Sequence, residues 1–315
     1  MAVAVAASTP AIKGSVLAPG IDEKGSILLT GADVRSVSRT NALTSPTAGL
    51  APTHLQANLI VLPSRYADDF RRLCARNPVP CPLIAESTSV GRWDSVKSHI
   101  TAIQGDKVVN GCDIRRDVPR YIVYKDSKVD KAGCLDIVEE WTDDHVAFLI
   151  GCSFSFETAL MNANLVPRHI VMNRNIPMYR TKIPLCPSGV FQNGTYVVSM
   201  RQYRAADVEK IREITKAYSA THGDPIGWGW DSVKRLGIEN IDVPQWGEPP
   251  LQLNGQPLGH IAGSEDEVPI FWGCGVTPQE AVMRAGLEGI VMAHAPGHML
   301  VLDCRDSDLL RGENT

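Results

Sequence analysis

VAFLIGCSFSFETAL (146–160) and VPIFWGCGVTPQEAV (268–282) follow one grammar: an apolar run, Gly-Cys, a short polar turn, then residues that favour helix. Each reads as a strand feeding a helix through a glycine turn, and two such units predict an α/β architecture. In the second, Thr277, Pro278 and Glu280 stand where an N-cap, a first-turn proline and the returning carboxylate of a capping box belong. That pattern predicts a helix start near 278.

Outward from these units, compact apolar runs alternate with helical periods. NLIVLP (58–63), YIVY (121–124), TYVVSM (195–200), GIVMAH (289–294) and MLVLD (299–303) predict strands, and residues 64–77, 155–165, 205–220 and 277–286 predict helices. Residues 1–35 show no period and read as a flexible arm. RNIPMYRTKIP (174–184) reads as a proline-punctuated loop, and 221–265, rich in Gly, Pro and Trp, as irregular connections.

The chain has 315 residues, 44% hydrophobic and 21% charged, with a net charge of -4. That is an ordinary globular composition, and the scattered Lys and Arg form no basic stripe, so nucleic acid is not an expected partner. No apolar run approaches the ~20 residues of a membrane helix. The 8 cysteines include no C-x-x-C pair, which argues against a finger-type zinc site and for reduced thiols in a reducing compartment. The N-terminus lacks the basic flank and compact apolar core of a signal peptide, so cytoplasm is expected first and mitochondrion second. A homo-oligomer is expected.

Several residue groups point to chemistry. The two Gly-Cys turns should aim helix N-termini at the crevice outside the strand ends, a setting for carboxylates. Cys152 and Cys274 would there have lowered pKa values and become nucleophiles given a base; otherwise each is a small buried thiol in a tight turn. Arg174, Arg180 and Arg201, with Ser153, Asn175, Tyr179 and Thr277 nearby in the motifs, offer donors for carboxylate recognition. The bland alternative is a solvated loop whose arginines pair with neighbouring acids. Pro296 and Gly297 break any helix joining His294 and His298, so a zinc pair on one helical face is disfavoured. Histidines in a turn between two buried strands still suit proton transfer near neutral pH. Glu157 is a further acid/base candidate. Trp228 and Trp230 either wall a binding cleft or plug a core.

PTAGLAPTHLQANLIVLP (46–63), RNPVPCPL (76–83), FLIGCSFSFE (148–157), RNIPMYRT (174–181), VVSMR (197–201), FWGCGVTPQ (271–279) and HAPGHML (294–300) together resemble the hydro-lyase family also called YcsI-like. That family is related to the hydro-lyase domain of D-glutamate cyclase, and the similarity runs from about 40 to 310. It implies a layered α/β sandwich core, 36–165 and 255–310, with a smaller α+β domain, 166–254, inserted. It also implies carbon–oxygen lyase chemistry, such as reversible loss of water from D-glutamate to give 5-oxo-D-proline. One loop departs from the family pattern: Gly227 stands where relatives have a histidine, and Trp230 where they have an aspartate. If that loop lines the pocket, a larger or more apolar acid is the expected substrate.

The leading expectation is a lyase without cofactor or metal that dehydrates or cyclises a small amino or hydroxy acid. Arg180, Arg201 and the helix N-termini would bind the carboxylate, and His294, His298 and Glu157 would move protons. A metal-assisted hydrolase or hydratase built on His294, His298 and Asp303 is the alternative within enzymes. A non-catalytic carboxylate-binding member of the family is the alternative outside them.

Overall fold

The computed structural model describes residues 20–21 and 25–311. Most of the stretch read as an N-terminal arm lies outside these residues. Its end, however, is helical: Gly31–Arg39 starts at a capping box in which Thr30 accepts from the Asp33 N–H and Asp33 accepts from the Thr30 N–H. No helix among the described residues is long and apolar enough to cross a membrane.

The fold is mixed α/β, built on two sheets. The larger has eight strands, with Val96–Ser98, Leu83–Ser87, His145–Gly151, His54–Pro63, Ile290–His294, Tyr121–Lys125 and Lys128–Cys134 in order and Leu300–Arg305 also paired to His54–Pro63. The smaller runs Met178–Pro184, Thr195–Arg204, Glu267–Gly273, Gly227–Trp228. Every strand pairing among the described residues is antiparallel. Crevices at strand ends belong to open parallel α/β sheets, so the site is located here from side chains.

His54–Pro63 is buried along its whole length because both faces are covered. Leu55, Ala57, Leu59 and Val61 join a core with Phe156, Leu160, Ile211, Ile270 and Trp272, while Ile60 and Leu62 face Phe70, Leu73, Phe148 and Ala281. A strand packed on both sides is apolar throughout rather than alternating, which is why NLIVLP is a continuous run. Two segments expected to be irregular are ordered. Residues 178–184 form a strand, and Trp230–Leu236 form a helix.

Ile290–His294 and Leu300–Arg305 both lie antiparallel to His54–Pro63, with Ala293 opposite Ile60 and Leu300 opposite Ala57. One strand advances three residues while its partner path advances seven, so residues 295–299, the APGH that follows His294 together with Met299, are looped out of an interrupted strand. The segment is not a hairpin turn. Asn58 stands opposite the interruption.

Candidate active site

Asn58 is 1% exposed, a buried polar residue directly before the apolar run 59–63. Its Nδ2 donates to Gly151 O at 3.0 Å, which fixes the amide and leaves Oδ1 for His294 Nε2 at 3.0 Å. Gly275 has to be glycine here: a Cβ would sit 1.9 Å from Asn58 Nδ2. A Cβ on Gly151 would likewise sit 2.0 Å from Ala220 O. Asn58 thus ties His294, the last residue of its strand, to both Gly-Cys turns, and Cys152, Cys274 and Met299 pack in one apolar cluster. The three motifs meet, but as packing.

Burial there reverses the expected thiol chemistry. It pushes the Cys274 thiol up to about 11 and raises that of Cys152, whose Sγ accepts from Phe154 N–H at 3.5 Å. Desolvation disfavours a thiolate more than a nearby helix end favours it. Neither cysteine is an activated nucleophile. The capping box expected at Thr277 is also absent. The helix Val276–Arg284 begins earlier, Thr277 Oγ1 accepts from Val197 N–H (2.9 Å) and donates to Val197 O (3.1 Å), and Glu280 pairs with Arg180 (2.7 Å) and Arg284 (2.6 Å).

Burial disfavours the protonated form of both histidines of HAPGH. His294 is fully buried, its Nδ1 lies 2.8 Å from Ala295 O, and burial lowers its pKa to about 4. His298 is also lowered by burial, with its ring facing the carbonyls of Pro296 (3.0 Å) and Thr44 (3.4 Å). Asp303 is held elsewhere, by Arg35 at 2.9 Å and by Asn110 N–H at 2.7 Å. The proposed metal set is therefore dispersed, and among the described residues no group of three or more His, Cys, Asp or Glu could hold a metal ion.

Polar chemistry concentrates instead beside Thr195–Arg204. Arg201 has no exposed side-chain surface, and its Nε donates to Glu157 Oε1 at 2.9 Å and its Nη2 to the same oxygen at 2.5 Å. It also donates to Ser153 Oγ (3.1 Å) and Ser199 Oγ (3.3 Å), while its guanidinium lies over Phe156 and Trp272. The third group at Glu157 is His169, whose Nε2 is 3.2 Å from Oε1. Burial pushes the Glu157 pKa up, but His169 and Arg201 outweigh it, so the carboxyl is held below its ordinary value.

A small crevice of about 30 Å³ opens over this pair, lined among others by Arg168, His169, Arg174, Asn175, Arg201 and Gln202 and by residues 248–251. Four buried side-chain atoms here have no hydrogen-bond partner, Glu157 Oε2, Arg174 Nε, Asn175 Oδ1 and Gln202 Oε1, while His169 Nε2 meets Glu157 Oε1 at 3.2 Å as an ion-pair contact outside hydrogen-bond geometry. Buried polar atoms are normally satisfied, and a cluster of exceptions marks a place where a ligand or water completes the set.

Of the residues singled out in the sequence, the structure brings Glu157, Ser153, Asn175 and Arg201 to this crevice or its floor. Arg180 is bound to Glu280, and the Tyr179 hydroxyl donates to Ile241 O at 2.5 Å in a separate core. Trp228 sits on an edge strand under Arg212, and Trp230 Nε1 donates to Glu267 O at 3.0 Å. Neither tryptophan lines the crevice, which removes the structural basis for an aromatic wall and a larger substrate. Sequence reasoning pointed to Arg174 and missed His169, Arg168 and Gln202. The only signal for His169 and Arg168 was adjacency, since they lie just before the motif RNIPMYRT.

The family model described as D-glutamate cyclase matches residues 146–303. A Schizosaccharomyces pombe protein named "Putative hydro-lyase" is 44% identical over 271 residues, covering 86% of this chain and 83% of that protein. A Rubrobacter xylanophilus protein of the same name is 42% identical over 277 residues, 88% of this chain and 96% of that one. Among solved structures, a nitrogen repressor-like protein of Methanococcus jannaschii aligns over 89% of this chain and 97% of its own, at 9% identity and a TM-score of 0.35. That likeness is too low to bear on fold or function. The matched segment contains Glu157, His169, Asn175 and Arg201, and together with the full-length relatives it shows that the chain belongs to the D-glutamate cyclase family of lyase enzymes.

Proposed function

We propose that the chain closes, and reopens, a lactam ring in a small amino dicarboxylic acid of the D-glutamate type, at the crevice over Glu157 and His169. One observation carries this reading: His169 is held between a buried, Arg201-bound carboxylate and a crevice rimmed by Arg168 and Arg174. A histidine oriented by a carboxylate is the usual acid/base unit.

Ring closure joins the substrate nitrogen to its distal carboxyl carbon and breaks one carbon–oxygen bond. The ammonium gives up two protons, and both leave with the oxygen as water. His169 takes a proton from the nitrogen and delivers it to the departing oxygen. Arg174, whose buried Nε has no partner beside its 3.5 Å pair with Glu248, holds the other carboxylate, Arg168 is paired with Glu267 at 3.2 Å, and Arg201 fixes Glu157 and through it the imidazole. No enzyme nucleophile is needed, because the amine is already tethered to its target, and such placement is worth several kcal/mol. A volume of about 30 Å³ holds one or two waters, so side chains lining the crevice have to repack to admit the acid.

The test is incubation in heavy-oxygen water with D-glutamate, its L enantiomer and matched hydroxy acids, read by mass spectrometry. Label entering the distal carboxylate of the amino acid supports reversible closure. Silence across the panel overturns it.

A further inference from the structure

Asn175 combines a clamped main chain with a free side chain. Its N–H donates to Glu248 Oε2 at 2.7 Å and its carbonyl accepts from Glu248 N–H at 3.3 Å, yet its buried Oδ1 has no partner. The amide rests on the HAPGH loop. A Cβ at Gly297 would lie 3.1 Å from Asn175 Nδ2 and 3.2 Å from Oδ1, so both amide atoms stack at nearly equal distance over that glycine. Gly297 has φ +84°, a backbone region glycine enters without strain. The loop is itself pinned, because Gly297 O accepts from Thr47 N–H at 2.9 Å, and Thr47 Oγ1 accepts from Met299 N–H at 3.0 Å while donating to Gln56 Oε1 at 2.8 Å.

A primary carboxamide presents a donor and an acceptor side by side in one plane. Its complement is a group with the reverse pair on one edge, which a cis-amide in a ring supplies. An ester in the same ring keeps the acceptor and lacks the donor. We propose that Asn175, positioned by Gly297, is a specificity-determining residue that reads the cis-amide edge of a lactam. This rests on the ring-closure reading above and gives the looped-out segment 295–299 its part in it.

The experiment is titration calorimetry of the whole chain with 5-oxo-D-proline and with its lactone analogue, in which oxygen replaces the ring nitrogen. The wild-type protein is expected to prefer the lactam by about tenfold or more, the scale of one or two hydrogen bonds with a buried partner otherwise left unpaired. In Asn175→Ala and Gly297→Ala the preference falls to within about threefold, through weaker lactam binding, while melting of Asn175→Ala stays near the wild-type value. Gly297→Ala tests positioning, since a purely structural role would weaken both ligands alike. Equal affinity for the two rings in the wild type, no lactam binding, or an unchanged preference in Asn175→Ala overturns the proposal. Asn175-dependent preference without isotope exchange would sink the reaction and leave the recognition standing. Exchange without preference would do the opposite.

Discussion

His169 Nε2 lies 3.2 Å from Glu157 Oε1, on a carboxylate that Arg201 already binds through two nitrogens. One oxygen of Glu157 receives all these contacts, and the other, Oε2, is buried without a partner. His169→Gln is therefore expected to lower isotope exchange by about 10²- to 10⁴-fold while leaving the fold in place, because Arg201 still compensates the carboxylate. Exchange rates compared with melting temperatures check this; loss of both together would make His169 structural.

Glu157→Gln should behave differently. It leaves the Arg201 guanidinium buried without its counter-charge, and breaking a buried pair from one side costs about 3–5 kcal/mol. Urea unfolding of this variant is expected to show a loss of that order, along with loss of exchange. A fully stable Glu157→Gln protein would refute the paired-charge account.

The buried histidines set the acid stability of the chain. His222 and His294 have pKa values lowered by burial to about 4, below the ordinary value near 6.5. The folded state thus binds these protons less readily than the unfolded one, so their contribution is complete above about 6.5 and is lost as pH falls toward 4. Each accounts for about 3 kcal/mol across that window. Unfolding midpoints measured from pH 7 to pH 4 should fall, and His294→Gln should flatten part of the slope. A flat profile in the wild type would contradict the burial.

Some of this was legible in the sequence and some was not. The strands built on NLIVLP and VAFLIG are continuous apolar runs because both faces of the large sheet are covered, so pattern and structure agree. Met178–Pro184 was hidden by the prolines at 177 and 184, which bracket rather than interrupt the strand. The cysteines misled for a physical reason: a helix start lowers a thiol pKa only where the site stays partly polar, and Cys152 and Cys274 are packed among Phe154, Ile176 and Val276. His169 could not be singled out at all. It sits in the four-residue helix Arg168–Val171, and its meaning comes from Glu157, which only the packing of separate helices brings within reach.

The thiols offer the last test, because it separates the Gly-Cys turns as packing from the same turns as chemistry. Among the cysteines, Cys186 is exposed and Cys134 half-buried, while the other six are buried. An aromatic disulfide reagent should modify Cys186 quickly in the native protein, Cys134 more slowly, and the rest only on unfolding. Cys152→Ser and Cys274→Ser keep the volume of the turn nearly unchanged and are expected to retain isotope exchange within about fivefold, since neither thiolate is accessible at neutral pH. Gly275→Ala, by contrast, drives a Cβ to 1.9 Å from Asn58 Nδ2 and should unlock Asn58 from Gly151 and His294. Stranding those buried groups costs about 2–4 kcal/mol. A serine variant without exchange, beside a Gly275→Ala protein of unchanged stability, would return the turns to catalysis.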